Sequence, residues 1–350
     1  MRYLFFIQGE GRGHFTQAVT MADLLRKNGH EIVGVIIGAP TYRILPEFVQ
    51  RNLNTEIHRF ETPAFQTGKD RKKINWLKTS VYVLQHLNLY KKNLLLIEDW
   101  VNKYQPDRIL NFYEVLGGIW NGLYNKNKIP VFSIGHQYLS LHPDYKFPQF
   151  PLWGKAGLLS LTHLTAWKAQ SKLALSFISI PSNAKIKVIP PLLRNAVFQL
   201  QPDDHGFVLA YVVNEGYVQD ILKWHQQYPE VKMKIFSDFR EGKENNIEFY
   251  LPQETAFLEA LRTCSVLIST AGFESVCEAL YLNKPVWVVP VEGQFEQYCN
   301  AFEGERLNLF KWLRSWKELP APKNLIYSNS GKKLQEFLKS NDEDILNYVQ

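Results

Sequence analysis

Apolar and polar positions follow two different periods along the first half of the chain. "YLFFIQ" (3–8) is a short unbroken apolar run that stops at glycine. "TQAVTMADLLRKNGH" after it spaces apolar residues as a helix does, up to Gly29. "EIVGVIIG" (31–38) reads as a β-branched strand. The stretch 74–104 has helical spacing and reads as two helices. "PDRILNFY" (106–113) and "KIPVFSIGHQ" (128–137) predict further strands, with a helical "GGIWNGLYNKN" between them. After residue 206 the alternation restarts, with strands predicted at 207–213, 231–237, 247–251, 265–270 and 285–291. Helices are predicted at 216–229, 253–264 and 272–283 and over "QFEQYCNAFEGERLN". Strand, helix and strand at this spacing predict parallel sheets with crossover helices.

Two such series predict an α/β protein of two doubly wound domains, and 350 residues exceed what one hydrophobic core comfortably holds. The expected boundaries are 1–185 for the first domain, 186–205 for a Pro-, Asn- and Asp-rich linker, and 206–329 for the second. A helical tail, 330–350, is expected to pack back on the first domain. The Trp-, Leu- and Lys-rich segment 150–178 reads either as an amphipathic, surface-seeking helix or as a helix packed under the site. Open α/β sheets bind ligands at the carboxyl ends of their strands, so the expectation is two Rossmann-like domains facing a cleft.

Composition adds less. With 45% hydrophobic and 21% charged residues the chain is ordinary for a globular enzyme, and 14% aromatics either fill cores or line a concave site. The net charge of +6 is partly clustered in "GKDRKK" (68–73) and "YKKN" (90–93). These read as solvated stretches, or as attraction to an anionic surface or phosphate-bearing substrate. No nucleic-acid-binding motif accompanies them. Cys264, Cys277 and Cys299 are odd in number and lack metal-ligand spacing, which fits a reducing compartment. No run reaches the ~18 apolar residues of a membrane span, and the start "MRYLFFIQG" is too short for a signal peptide. The expected location is the cytoplasm, with contact at the inner face of the membrane left open.

Candidate chemistry begins at "GEGRGH". Gly9, Gly11 and Gly13 imitate a dinucleotide-binding fingerprint, but His14 stands where its last glycine belongs. "EIVGVIIGAP" also lacks the acidic residue that would hold a ribose, so a dehydrogenase reading fails. His14 is either a helix cap or a general base, because an imidazole with a pKa near 6.5 suits proton transfer near neutrality. Glu114, after "ILNFY", is a second candidate base or a group orienting an acceptor, against the reading of a solvated loop carboxylate. In the second half, "STAGFESVCEAL" (269–280) sets Ser269, Thr270, Ala271 and Gly272 at a strand-to-helix junction. Backbone N–H groups and hydroxyls there form an anion site. Phe273, Glu274 and Ser275 lead into the helix, and Glu278 shares a face with Glu274. A glutamate can accept two hydroxyl hydrogens, which suits a vicinal diol. Gln294, Glu296 and Gln297 follow the next strand, and Asn214 in "VVNEG" flanks the first. A phosphate cradle, a carboxylate and polar groups together describe a nucleotide-sugar pocket.

The order of strand, "STAG", "E-A-L", "KP", "VP", "EQ" and "NA" resembles the donor half of GT-B glycosyltransferases, in particular the MurG-like and MurG-related branch. "GEGRGHFTQAVTMADLLRKNGHEI" and "PDRILNFYEVLGGIWNGLYNKNKIPVFSIGHQ" resemble its acceptor half, and the likeness weakens over 41–100 and 310–350. The resemblance implies an inverting, metal-independent transfer of a sugar from a nucleotide diphosphate, commonly UDP, with no cofactor. Ser269 to Gly272 would hold the diphosphate, Glu278 the ribose, and Glu296 with Gln297 the sugar. His14 or Glu114 would serve as base. Gly11, Gly13, His136 and Gln137 would stand on the acceptor side, although the last two also read as the end of a strand. The implied partners are a nucleotide diphosphate sugar and a glycan or lipid-linked acceptor, with peripheral membrane contact and no nucleic acid. No Asp-x-Asp metal motif is present. A nucleotide-sugar 2-epimerase of the same architecture, or a non-catalytic sugar-nucleotide-binding subunit, would share the pattern.

Overall fold

The computed structural model describes every residue except 69–71, 213, 328–330 and 340–341. The chain forms two compact units. The first comprises Met1–Phe65, Trp76–Arg194 and Phe337–Gln350; the second comprises Gln66–Asn75 and Asn195–Glu336.

In the first unit, β1 (Arg2–Gln8), α1 (Gly13–Lys27), β2 (Glu31–Gly38), α2 (Glu47–Leu53) and β3 (Ile57–Phe60) come first. There follow α3 (Trp76–Gln85), α4 (Leu87–Tyr104), β4 (Arg108–Phe112), α5 (Val115–Leu123), β5 (Val131–Gly135), α6 (Leu152–Thr165), β6 (Ser171–Leu175) and β7 (Ile186–Ile189). The sheet order is β3-β2-β1-β4-β5-β6-β7, and all neighbours pair in parallel. Strands covered on both faces need unbroken apolar runs, and Tyr3 through Ile7 of β1 are buried along their whole length. Gly9 is glycine for a packing reason: a Cβ there would stand 2.8 Å from that of Ala39.

The second unit repeats the plan. It contains β8 (Val208–Tyr211), α7 (Glu215–Gln227), β9 (Met233–Phe236), β10 (Gly242–Glu244), β11 (Ile247–Tyr250), α8 (Glu254–Thr263) and β12 (Val266–Ser269). α9 (Phe273–Tyr281), β13 (Val286–Val288), α10 (Phe295–Arg306) and β14 (Lys311–Trp312) complete it. The order is β10-β11-β9-β8-β12-β13-β14, parallel except for the β10–β11 pair. The chain closes with α11 (Lys332–Leu338) and α12 (Asp342–Val349). In the first unit Tyr3 Oη donates to the Val349 carbonyl, and Arg108 holds that of Gln350.

Three stretches differ from the sequence reading. Ile186–Ile189, expected in the linker, is the edge strand β7, with Ile186, Val188 and Ile189 buried, and it pairs with β6. The 150–178 segment is not one helix: α6 ends at Thr165, Lys168 turns with φ 55°, and Ser171–Leu175 enters the sheet as β6. Gln66–Asn75, sequentially inside the first half, belongs to the second unit. There the Ile74 N–H donates to the Glu292 carbonyl, and Lys72 pairs with buried Asp220 at 2.7 Å. Part of the basic run expected to be solvated or anion-seeking is therefore tied down, and the rest of it, 69–71, lies outside the described residues.

Candidate active site

In each sheet the chain reverses its direction of winding once, between β1 and β4 in the first unit and between β8 and β12 in the second. Loops leaving the carboxyl ends of strands at such a point diverge and leave room for a ligand. His14 follows β1 and Glu114 follows β4; Asn214 follows β8 and Ser269–Gly272 closes β12.

His14 lies in the first turn of α1, whose N-cap is Arg12, so the imidazole does not stand at the capping position. Its Nδ1 faces Gln17 Oε1 at 3.3 Å, one turn along the helix. An amide oxygen only accepts, so Nδ1 carries the proton and Nε2 keeps a lone pair. The ring is half-buried and stacks on Tyr113 at a centroid distance of 5.8 Å and 14° between planes. Burial lowers its pKa from 6.5 to about 4, opposed by the Gln17 bond, so the imidazole is neutral at pH 7. Gly11, exposed at the mouth of the loop, has nothing within 4 Å of where a Cβ would stand.

Glu114 is neither a solvated loop carboxylate nor an accessible base. It is fully buried and is the N-cap of α5. Oε2 accepts from the Gly117 N–H at 2.5 Å and Oε1 from Thr62 Oγ1 at 2.7 Å. Burial pushes its pKa up to about 6 against these bonds. His136 and Gln137 are also buried. His136 Nδ1 donates to the Leu175 carbonyl at 2.7 Å, and both residues open a 3-10 turn after β5.

In the second unit the β12–α9 loop is clamped from below. Ser269 Oγ donates to the Tyr211 carbonyl at 3.1 Å, and Asn300 Nδ2 on α10 donates to that of Ala271 at 2.9 Å. Ser269, Thr270, Ala271 and Phe273 are buried, whereas Gly272 and Ser275 reach the surface. A Cβ on Gly272 would meet nothing within 4 Å. The open first turn of α9 thus offers backbone N–H groups beside bare glycine, a geometry suited to an anion. Gln297 Oε1 accepts from the Val291 N–H at 2.8 Å, which fixes the loop after β13 and turns its amide nitrogen elsewhere; Gln294 and Glu296 are half-buried beside it. Glu274 is buried and Glu278 fully so. Asn214 spends its amide on the Lys72 carbonyl at 2.7 Å. Among the described residues no cluster of three or more His, Cys, Asp or Glu could hold a metal, and no helix is long and apolar enough to cross a membrane.

Gln17, Tyr113, Tyr211 and Asn300 are the site residues that sequence reasoning missed. Gln17 was within reach, because i,i+3 spacing on a helix places it beside His14. Nothing local in "NFYE" announces Tyr113.

The family model described as Glycosyl transferase family 1 matches residues 1–321. No curated protein matches the chain in sequence. Among solved structures, the glycotransferase of kitacinnamycin superposes with a TM-score of 0.60 at 14% identity, over 99% of this chain and 91% of that one. MurG of Acinetobacter baumannii gives 0.56 at 13%, over 100% and 99%. UGT2 of Phytolacca americana, complexed with UDP-2fluoro-glucose and pterostilbene, gives 0.57 at 12%, over 99% and 92%. At such identities the likeness is one of fold, and that fold is GT-B.

Proposed function

The chain belongs to glycosyl transferase family 1, and we propose that it moves a hexosyl group from a UDP-linked sugar to a hydroxyl acceptor with inversion at the sugar. One observation carries the mechanism: His14 is neutral, with Nδ1 engaged by Gln17 and Nε2 left as acceptor. Nε2 takes the proton of the acceptor hydroxyl as its oxygen bonds to the anomeric carbon. The bond from that carbon to the diphosphate oxygen breaks on the opposite face, and no covalent enzyme intermediate forms. The charge developing on the diphosphate meets the N–H groups at the start of α9 around Gly272, without a resident metal. Gln294, Glu296 and the free end of the Gln297 amide take the sugar hydroxyls.

The acceptor in this reading is lipid-linked and met at an anionic membrane surface. Two exposed apolar features of the first unit support it. Leu77 and Leu84, one face of α3, are 77% and 65% exposed, and Leu152 at the head of α6 is 86% exposed. Trp76 and Trp153 join the two helices edge-to-face at 5.9 Å. Lys78, Lys91 and Lys92 are exposed on α3 and α4. Apolar tips with flanking lysines are the composition of an interfacial contact.

His14→Ala is the test. Transfer should fall by about 10²–10⁴, while the thermal shift produced by UDP stays as in the parent. Transfer retained by the variant would remove His14 as the base. A sugar altered with no acceptor present would replace transfer by epimerisation.

A further inference from the structure

We propose that Tyr113 is a positioning residue for His14: its ring, held in a left-handed turn after β4, fixes the plane in which the imidazole presents Nε2. This rests on His14 being the base. Residues 111–114 form a tight turn clasped by one side chain. Asn111 Oδ1 accepts from the Glu114 N–H at 2.8 Å, and Asn111 Nδ2 donates to the carbonyls of Glu114 and Thr165 at 2.9 and 2.8 Å. Tyr113 occupies the third position with φ 60°. A turn of this kind asks for glycine or asparagine there, and a bulky residue at positive φ is an outlier. Such outliers persist where the surroundings over-determine them, and they concentrate at functional sites.

The surroundings do over-determine this one. Thr162 Oγ1 spends its proton on the Leu158 carbonyl, so Tyr113 Oη donates to it, at 2.8 Å. Tyr138 packs edge-on against the Tyr113 ring at 5.6 Å and 63°, and its own hydroxyl is anchored on Thr165. With its far end and one edge held, the phenol ring turns a face to His14, nearly parallel at 14°. Gln17 holds the imidazole by Nδ1 and Tyr113 covers its face, so both contacts restrain the ring. The charged residues nearest in the chain are Glu10 and Arg12 on the same loop and Glu114 beyond Tyr113. None of them causes the lowered basicity of His14, which comes from burial. Tyr113 is part of that burial.

The experiment uses Tyr113→Gly, Tyr113→Asn and Tyr113→Phe in the full chain. Glycine and asparagine accept the left-handed backbone and remove the ring, so failure of one to fold leaves the other to be read; phenylalanine keeps the ring and loses only the Thr162 bond. Without the ring, kcat should fall about ten- to hundredfold, as expected for a loosened reacting group, with KM for the UDP-sugar unchanged. The acid limb of kcat/KM should move from about pH 4 towards 6.5, while Tyr113→Phe keeps the limb where it was. A merely structural tyrosine would change stability and leave the limb in place, and that result overturns the proposal. His14→Ala separates the two readings. If it abolishes transfer while the Gly and Asn variants keep parental rate and limb, Tyr113 alone is wrong. If it leaves transfer intact, the base assignment has failed first.

Discussion

Glu303 gives the clearest quantitative handle on the second unit. It lies on α10 with 4% of its surface exposed, and burial pushes its carboxyl up to about 8, with Arg306 pulling the other way. Glu274 and Glu278 on α9 share its neighbourhood, since all three carboxyls, after burial itself, raise the thiol of Cys277. At pH 7 Glu303 therefore keeps its proton, which limits the negative charge stored behind a loop proposed to bind phosphate. In the unfolded chain the same carboxyl ionises near 4.5. The folded state thus holds more protons from pH 4.5 to 8. The stabilisation is complete below 4.5 and is lost as pH rises through 8. Each pH unit in that window is worth about 1.4 kcal/mol, so the ceiling is roughly 4 to 5 kcal/mol, a large share of a domain's ~5–15 kcal/mol. Glu303→Gln keeps the shape and removes the titration. Thermal melts of both proteins at pH 5, 6.5 and 8 should start close together and separate as pH rises, with the variant higher by several degrees at pH 8. Parallel curves would mean that Glu303 ionises in the fold at an ordinary pH, and the account of a protonated carboxyl beneath the donor loop would be abandoned.

Two further outcomes follow from the first unit. A Leu77→Ser, Leu84→Ser, Leu152→Ser triple variant should lose co-sedimentation with anionic vesicles, which in the parent weakens as salt is raised, and it should keep activity on a soluble acceptor; parental vesicle binding by the variant would count against the membrane-surface reading. Gly38→Ala would bring a Cβ to 2.5 Å from Glu114 Oε1, a carboxyl already held by Thr62 and Gly117, so it should cost about 1–3 kcal/mol in denaturant unfolding. That cost should shrink in a Glu114→Ser background, because the two sites share one space.

The parts of this fold legible in the sequence were those decided within a few residues. "YLFFIQ", "EIVGVIIG" and "SVLIST" are apolar on both faces, and only a sheet covered on both sides accommodates that; they became β1, β2 and β12. The break of 74–104 into α3 and α4 at His86 also followed its spacing. Ile186–Ile189 was hidden by the prolines after it, which signal a loop yet are compatible with an edge strand. Gln66–Asn75 carries no pattern of its own. Its place in the second unit depends on Asn214, Asp220 and Glu292, all more than 140 residues away.

The candidate site divides along the same line. His14 and the β12–α9 loop stood out because a glycine-rich turn and a strand-to-helix junction are local objects, and the chemistry they offer is backbone chemistry. The position of Glu114 at the end of β4 is legible in the sequence; its burial is not, because whether a carboxylate at a strand end faces water depends on Gly38, the last residue of β2, and on Thr62, in the loop after β3. The same turn that makes Glu114 the cap of α5 lays the buried ring of Tyr113, not the carboxylate, against the imidazole. A base flanked by an aromatic face and a neutral amide gains less charge stabilisation on taking a proton than one paired with a carboxylate; here the Gln17 bond offsets only part of the burial that lowers His14. With His14 as the proposed base, its low basicity places its protonation late, after bond breaking to the diphosphate is well advanced. The acid limb near pH 4 and a strong dependence of rate on leaving-group basicity are two consequences of one arrangement, and they should be found or lost together.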